Sequence, residues 1–371
     1  MRILHLTDHY PPVLGGIETH VATLAGHQAE RGDEVTVLTS TPQDADGRHR
    51  DDAGPVTVRR AGSVVGGQAF DMGAFDVVHA HLSVMATFSS PLAGRAARRG
   101  IPTMVTVHSL WNGMGPIPAT AASIAGLRGA PVMWTAVSRT AADQLQRRLP
   151  RGTRVRVLPN AVDVAARLRT PSPHRDRPVR LVSTMRVARR KRPMQLLRMF
   201  DTLSRSVDVA TELTIVGDGP LRPRLERHLR RNGLDDAVTI TGRVDPEAVV
   251  EILAGSDLYV APAVLESFGL AALEARCVGL PVVGHAASGM TEFVQHGVEG
   301  MLCGSDTEMV QRLRELVDDA GLRQDISEHN RTVASPLTWA RALDQHDAAY
   351  AVARTTHPLA RPARMHPVPG G

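Results

Sequence analysis

The sequence predicts two α/β domains, each a Rossmann-like, doubly wound parallel sheet, facing each other across a cleft. Its 371 residues are too many for one ordinary core and suit two domains. Short β-branched runs alternate with helical patterns almost throughout, which is typical of parallel sheets covered by helices. This rhythm stops once, at the charged and proline-rich residues 167–178, and then restarts.

The β-branched runs predict seven strands in the first half of the chain and five in the second. The first seven are Ile3–Thr7, Glu34–Thr39, Val56–Arg59, Val77–His79, Thr103–His108, Thr135–Ser138 and Arg156–Leu158. The other five are Arg180–Thr184, Leu213–Val216, Val238–Thr241, Leu258–Ala261 and Val282–Gly284. Amphipathic helices such as Glu18–Glu30 and Pro193–Arg205 separate them.

These patterns also set the expected domain limits. The predicted ranges are 1–166 for an N-terminal Rossmann-like domain, 167–178 for a linker, 179–335 for a C-terminal Rossmann-like domain, 336–354 for a helix that packs back on the N-terminal domain, and 355–371 for a disordered tail. In such folds the carboxyl ends of the strands border the ligand site.

Composition argues against several function classes. Aromatic residues make up only 3% and the net charge of +5 is spread along the chain, so nucleic acid is not an expected partner. No apolar run reaches the ~18 residues that a bilayer requires, and the opening residues lack a signal-peptide layout, so we expect a cytoplasmic protein. Its cationic surface is compatible with peripheral contact to an anionic membrane, although general arginine richness explains the charge equally well. Oligomeric state has no sequence signal.

The first loop carries a double glycine, Gly15-Gly16, directly before an amphipathic helix. Glycine lets the backbone approach a ligand closely, and the first N–H groups of a helix favour phosphate. A plain turn explains the same pattern about as well.

The loop after the strand at 180–184 carries two cations, Arg186 and Lys191. Lys191 is the single lysine among 43 basic residues. A compact ammonium suits a phosphate oxygen in a tight space, and two cations can stabilise a departing pyrophosphate. The alternative is a solvated basic loop, since Arg189, Arg190 and Arg192 crowd the same stretch.

The segment ALESFGLAALEARCVGLPVV places Glu266 before a predicted helix start and Glu274 within that helix. Gly269 permits a tight turn there, and the following N–H groups can hold hydroxyls or phosphate. A carboxylate at Glu274 can accept hydrogen bonds from two ribose hydroxyls. Taken alone, a capping acid and a solvated acid explain the same residues.

The Glu-x-Phe-Gly pattern, with a second glutamate eight positions after the first and a Gly-x-Pro-Val-Val strand beyond, resembles the signature of glycosyltransferase family 4, retaining enzymes of the GT-B fold. The resemblance runs from about residue 1 to 353, and further motifs match it in order. They are Gly15-Gly16-Ile-Glu18, Asp76-Val-Val-His79-Ala-His81, Thr106-Val-His108, Leu158-Pro-Asn160-Ala-Val-Asp163, Val216-Gly217-Asp218-Gly219-Pro220 and Thr241-Gly242-Arg243-Val244.

The resemblance implies that the N-terminal domain binds the acceptor and that the C-terminal domain binds the nucleotide sugar. It also implies one set of catalytic residues and one set of donor-binding residues. Its catalytic residues would be Arg186 and Lys191 on the phosphates, Glu266 on a sugar hydroxyl and His108 on the donor sugar. The implied donor-binding residues are Gly15, Gly16, Asn160, Gly217, Gly242, Arg243, Val244, Phe268, Gly269, Leu270 and Glu274. Two positions depart from the family: Arg192 replaces a glycine, and a Gly-Gly pair reads Ser288-Gly289.

No metal or cofactor is expected. Asp44-Ala-Asp46 resembles a metal-binding Asp-x-Asp, but it lies in a hydrophilic stretch where solvated acids are the better interpretation. The histidines show no ligand spacing with acids, and His79 and His81 are interpreted as structural. The two cysteines, Cys277 and Cys303, support neither a disulfide framework nor a metal site.

The expected activity is transfer of a sugar from a nucleotide-diphosphate sugar to an acceptor hydroxyl on a lipid, a glycan or a small metabolite. Two alternatives stay open. A nucleotide-sugar epimerase shares the two-domain architecture but lacks the Glu-x-Phe-Gly and later glutamate arrangement. A non-catalytic protein that binds nucleotide sugars would share the donor site, and the change at Arg192 leaves room for it.

Overall fold

A computed structural model describes residues 1–13, 15–43, 54–83, 85–110, 126–163 and 177–356. The predicted tail beyond residue 356, linker residues 167–176 and the Asp44-Ala-Asp46 motif lie outside these ranges. The chain forms two compact units. Unit 1 comprises residues 1–137, 141–158 and 342–371, and unit 2 comprises residues 138–140 and 159–341.

Unit 1 contains a seven-stranded parallel sheet in the order β3-β2-β1-β4-β5-β6-β7. Its strands are β1 Arg2–Thr7, β2 Glu34–Thr39, β3 Val56–Arg60, β4 Val77–Leu82, β5 Thr103–Val107, β6 Met133–Ala136 and β7 Val155–Val157. The helices in this half are α1 Gly16–Glu30, α2 Val64–Gln68, α3 Ser89–Arg98 and α4 Arg139–Gln146. The central strands β1 and β4 are buried along almost their whole length, as expected for parallel strands covered on both faces.

Unit 2 contains a six-stranded parallel sheet in the order β10-β9-β8-β11-β12-β13. Its strands are β8 Val179–Thr184, β9 Thr211–Val216, β10 Val238–Gly242, β11 Leu258–Ala261, β12 Val282–His285 and β13 Gly300–Cys303. Its helices are α5 Pro193–Ser204, α6 Arg222–Asn232, α7 Pro246–Ala254, α8 Leu270–Cys277, α9 Asp306–Asp318 and α10 Ala320–Thr332. One apolar core joins this sheet to α5, α6, α9 and α10.

The predicted fold class of two doubly wound parallel sheets is confirmed, and each predicted strand is present with small displacements of its ends. The sequence missed β13, which begins at Gly300. A Cβ at Gly300 would lie 2.0 Å from the carbonyl oxygen of Val282, so β12 requires glycine there. Glycine has no side chain to signal a strand, and the remaining residues 301–303 are not β-branched either, so the pattern did not predict β13.

The last helix, α11 Trp339–Thr356, contributes to unit 1 from Ala342 onward. Its Ala349 and Tyr350 are fully buried and pack with Ile3 and Val77 of the two central strands. Within the described ranges, no helix is both long and apolar enough to cross a bilayer.

Candidate functional site

The order of the unit 2 sheet places two of the predicted loops side by side. Strand β8 lies between β9 and β11, so the strand order reverses between β8 and β11. Open α/β sheets bind ligands beyond the carboxyl ends of the strands at such a point. The loop 185–192 after β8 and the loop 262–269 after β11 therefore border the expected ligand position.

Lys191 and Glu266 meet across these two loops. The Lys191 Nζ donates to Glu266 Oε2 at 2.5 Å, with the two side chains 37% and 17% exposed. Lys191 closes a short 3-10 turn, Arg189–Lys191, that directs it toward the loop after β11. The structure thus brings together two residues predicted to act on the phosphate and on the sugar.

Sequence reasoning missed Arg190. It lies in the same turn and is half-buried. Burial lowers the pKa of its guanidinium, and the nearby Glu266 carboxylate opposes that shift. No signal in the sequence separates Arg190 from its neighbours, because only the 3-10 turn decides which arginine faces Glu266.

Arg186 leaves β8 beside a glycine loop that supports its backbone. Val187 donates its N–H to the Asp218 carbonyl at 2.9 Å. Gly217 has φ of 132°, and a Cβ there would lie 2.0 Å from the Met185 carbonyl oxygen. Only glycine allows the two loops to run this close, which explains why the predicted residue Gly217 is needed. The Arg186 side chain itself is exposed.

Arg192 occupies the position where the family has glycine, and the backbone shows why glycine suits it. Its φ of 58° and ψ of 42° lie in the left-handed region, which is strained for a residue with a Cβ. The guanidinium turns away to Asp306, with Nη1–Oδ1 and Nη2–Oδ2 distances of 2.9 and 2.6 Å, and donates to the Pro262 carbonyl. This departure is therefore accommodated by an ion pair within unit 2.

We expect Arg192→Gly to be more stable than Arg192→Ala by about 1 kcal/mol, because both lose the ion pair but only alanine keeps the left-handed strain. Urea unfolding of the two variants measures this difference directly. Equal midpoints would mean that the backbone relaxes without cost at residue 192.

The helix α8 directly follows Gly269, whose φ is 95°, and within the described ranges no side chain caps it. Phe268 is buried against Phe293, with ring centroids 5.5 Å apart, and this contact anchors the turn. The first N–H groups of α8, including that of the predicted residue Leu270, are therefore not occupied by a capping side chain.

The second departure from the family, Ser288 in place of a glycine, is also compatible with the local backbone. A Cβ at Gly289 would lie 2.0 Å from the Ser267 carbonyl oxygen, so glycine is required at this position of the pair. Ser288 has φ of −97° and ψ of 170°, an extended conformation open to any residue. Its hydroxyl donates to the His285 carbonyl at 2.6 Å, which ties the loop to β12.

Glu274 lies one turn into α8. Surrounding protein atoms desolvate its carboxyl group and raise its pKa to about 7. The residue as a whole nevertheless keeps a solvent-exposed surface. Tyr259 of β11 is buried nearby, its pKa is raised by burial and also by Glu274, and its hydroxyl donates to the Thr184 carbonyl at 3.2 Å.

Three other predicted positions in unit 2 lie at the carboxyl end of β10. Gly242 ends β10 with φ of 73°, and its carbonyl accepts from the Gly217 N–H at 3.0 Å. Arg243 is exposed and Val244 is partly buried just beyond it. Gly217 and Gly242 thus form a contact between two of the predicted donor-binding segments.

Asn160 is another predicted donor-binding residue of unit 2. It is 5% exposed, and its Oδ1 meets no hydrogen-bond donor among the described residues. A buried amide oxygen without a donor is costly, which is consistent with a ligand group completing it.

The unit 1 residues occupy separate positions along its sheet. Gly15 and Gly16 are exposed at the start of α1, whose first turn carries Glu18. His108 follows β5 and is 5% exposed, and burial lowers its pKa to about 3. His79 and His81 of β4 are buried.

Two family models match this chain in succession. The model described as Glycosyltransferase Family 4 matches residues 14–166, and the one described as Glycosyl transferases group 1 matches residues 165–333. Together they cover residues 14–333, which include both parallel sheets apart from β1.

Related proteins agree with these matches. The chain is 32% identical to an alpha-D-kanosaminyltransferase of Streptomyces kanamyceticus over 36% of this chain and 37% of that protein. It is 31% identical to an N-acetyl-alpha-D-glucosaminyl L-malate synthase of Bacillus anthracis over 43% and 42%. These alignments span about two fifths of the length of each relative. Among solved structures, Anabaena HepE in complex with UDP superposes with a TM-score of 0.76 at 18% identity, covering 95% of this chain and all of HepE.

Proposed function

Because this chain belongs to glycosyltransferase family 4 and has the GT-B fold, we propose that it transfers a sugar from a nucleotide-diphosphate donor to an acceptor hydroxyl with retention of anomeric configuration. The observation that carries the proposal is the Lys191–Glu266 pair at the point where the unit 2 strand order reverses. A cation for the leaving phosphate and a carboxylate for the sugar are thereby held within one hydrogen bond of each other.

Charge development explains the proposed roles of the cations. As the bond between the anomeric carbon and the phosphate oxygen breaks, negative charge grows on the departing diphosphate. Lys191 and Arg186 offset this charge where it develops, which stabilises the transition state more than the ground state. The departing phosphate oxygen then takes the proton of the acceptor hydroxyl on the same face of the sugar.

When the donor binds, Glu266 exchanges part of its contact with Lys191 for a contact with the sugar. Lys191 releases part of its contact with the carboxylate to a phosphate oxygen, and Glu266 then accepts a hydrogen bond from a sugar hydroxyl. The amides of Gly269 and Leu270 at the start of α8 hold the phosphates, and Glu274 accepts from the ribose hydroxyls.

The two alternatives differ in what they release. A glycosyltransferase releases free nucleoside diphosphate only when an acceptor is present, an epimerase releases none, and a binding protein leaves the donor unchanged. We expect acceptor-dependent release, which chromatography of the nucleotides detects. Release without acceptor dependence, or none with any acceptor class, would overturn the proposal.

The donor and acceptor screen starts from chemistry that related folds handle. UDP-sugars come first, because HepE was solved with UDP and with UDP-glucose, and GDP-sugars are the second donor class. Lipid, glycan and small-metabolite hydroxyls form the acceptor arms, and proton NMR of the anomeric centre tests retention.

We propose that the reaction needs no metal, since cationic side chains offset the phosphate charge. Turnover should therefore persist in EDTA. Complete loss on chelation, with recovery on adding Mn²⁺ or Mg²⁺, would show that a metal supplies this charge instead.

We also propose that the protein contacts an anionic membrane. A groove of about 420 Å³ between α5 and α6, lined by Arg198, Arg224, Arg227 and Arg231, supports this proposal. Such a cluster is attracted to anionic lipid headgroups.

A further inference from the structure

Unit 1 contains a buried group of histidines that the proposed chemistry does not use. Single ligand atoms of His5, His79 and His81 lie within 4.8 Å of one another, an arrangement that invites interpretation as a metal site. However, each ring nitrogen of these three residues already has a hydrogen-bond partner. A metal would have to break these bonds, so the cluster is better described as a hydrogen-bonded chain.

One half of this hydrogen-bonded chain joins His108 to Gln28. His108 Nε2 lies 3.0 Å from His81 Nδ1, and His81 Nε2 lies 2.9 Å from His5 Nδ1. His5 Nε2 lies 2.7 Å from Gln28 Oε1. All four side chains are buried.

The other half continues from Gln28 through Tyr350. Gln28 Nε2 donates to the Tyr350 hydroxyl at 3.0 Å, and this hydroxyl lies 2.9 Å from His79 Nδ1. His79 Nε2 lies 2.7 Å from the Thr106 hydroxyl, which lies 2.6 Å from the Thr135 hydroxyl.

The hydrogen-bonded chain ends at an atom that can only accept. The Thr135 hydroxyl donates to the Val105 backbone carbonyl at 3.1 Å. Because a hydroxyl has one proton, Thr135 then accepts from Thr106, and Thr106 accepts from His79 Nε2–H. A neutral imidazole has one N–H, so His79 Nδ1 accepts from Tyr350, and Tyr350 accepts from Gln28.

The same step repeats toward His108. With its amide nitrogen turned to Tyr350, Gln28 presents its oxygen to His5, so His5 carries its proton on Nε2. His81 and His108 then carry theirs on Nε2 as well, since each donates to the bare Nδ1 of the next ring. Burial lowers the pKa of His5 to about 4 and that of His81 well below its ordinary value, which keeps the rings neutral.

We propose that this hydrogen-bonded chain, fixed in direction by the Val105 carbonyl, sets the tautomer of His108 with its proton on Nε2 and its lone pair on Nδ1. Thr135, Tyr350 and Gln28 are thus positioning residues for His108. The tautomer is independent of the proposed function, and only its consequence for the donor sugar rests on that function. A bare Nδ1 accepts a hydrogen bond from a sugar hydroxyl and is unsuited to a phosphate oxygen, which itself only accepts.

The test is long-range ¹H–¹⁵N correlation NMR of histidine-labelled full-length protein, which distinguishes protonated from bare ring nitrogens. Single His→Gln variants assign the signals. We expect His5, His79, His81 and His108 all to be Nε2–H tautomers. An Nδ1–H form of His108, or purified protein carrying stoichiometric zinc on these rings, would overturn the proposal, whether or not the protein transfers a sugar.

Thr135→Val tests the anchor. It removes the donor to Val105, so Thr106 becomes able to donate to His79, and the Nδ1–H form of His108 should appear. Donor kcat/KM should fall about two- to tenfold, which corresponds to one weakened hydrogen bond.

Thr103→Val is the matched control. Thr103 is buried on the same sheet, and its hydroxyl donates to the Ile101 carbonyl outside the hydrogen-bonded chain. The histidine tautomers of Thr103→Val should match those of the wild type.

If Thr135→Val unfolds, Tyr350→Phe interrupts the hydrogen-bonded chain elsewhere and should likewise allow the Nδ1–H form of His108 to appear. Unchanged tautomers in a folded Tyr350→Phe variant would contradict the proposal. The expected tautomers in a protein without transferase activity would support the hydrogen-bonded chain and refute the proposed function alone.

Discussion

Replacing Lys191 by alanine should lower turnover by roughly two to three orders of magnitude, as expected when a cation is lost from a developing charge. Donor binding should weaken less, because the charge on the diphosphate is greater in the transition state than in the ground state. Folding should change little, since the Lys191 side chain is 37% exposed. Single-turnover kinetics at saturating donor measures the effect without interference from product release.

Arg189→Ala is the matched control for this prediction. Arg189 lies in the same 3-10 turn and is exposed, so its removal takes one positive charge from the same loop without touching Glu266. Turnover should stay within a few fold of wild type. Equal losses in the two variants would assign the effect to general loop charge. Wild-type turnover in Lys191→Ala would refute the role of the lysine.

Hydrophobic pattern alone was enough to predict both sheets. Buried parallel strands such as β5 are apolar or β-branched on both faces, so they stand out from the amphipathic helices between them. Strand β13 was not predicted because it contains no β-branched residue, although its Met301 and Cys303 are buried in the core of unit 2. A pattern of β-branched residues detects strands of that composition, and it misses both strands of other composition and positions such as Gly300 where only glycine fits.

At the candidate site, the sequence predicts the roles of single residues but not the contacts between them. The sequence predicts roles for Lys191 and Glu266 separately, but their contact depends on the order of strands β8 and β11, which joins residues 75 positions apart. From the sequence, Arg192 places a bulky side chain beside the phosphate loop, and only the structure shows that Asp306 draws it away. The histidine chain was not predicted because its members lie in or just after four strands and in two helices, which only the fold brings together.

The Glu274→Gln variant should lower donor affinity roughly ten- to a hundredfold, which corresponds to one charge-assisted hydrogen bond of about 1.5–3 kcal/mol. Ribose is remote from the bond that breaks, so the interaction is nearly equal in the ground and transition states. Turnover at saturating donor should therefore hold within a few fold. Isothermal calorimetry with nucleoside diphosphate measures the loss of affinity.

Glu266→Gln should do the reverse. In the proposed mechanism Glu266 accepts a hydrogen bond from the reacting sugar, and in the structure it also holds Lys191, so its loss would disturb both a sugar contact and the cation on the leaving group. Turnover should fall more than donor affinity. The two variants replace the same side chain in the same way, which makes each the control for the other.

A pH series adds a second measurement for Glu274, whose pKa is raised to about 7 by burial. In the proposed site the ribose hydroxyls donate to the ionised form of Glu274, so binding should lower this pKa and release a proton. Donor affinity should therefore rise as pH increases from about 6 through 7 and then level off, and this rise should disappear in Glu274→Gln. In the absence of ligand, the pH dependence of protein stability has the opposite sign. The Glu274 carboxyl group binds a proton more tightly in the folded than in the unfolded state, so its contribution to the free energy of unfolding is lost as pH rises from its ordinary pKa through 7. Donor affinity that is unchanged in Glu274→Gln and independent of pH would show that the ribose assignment is wrong.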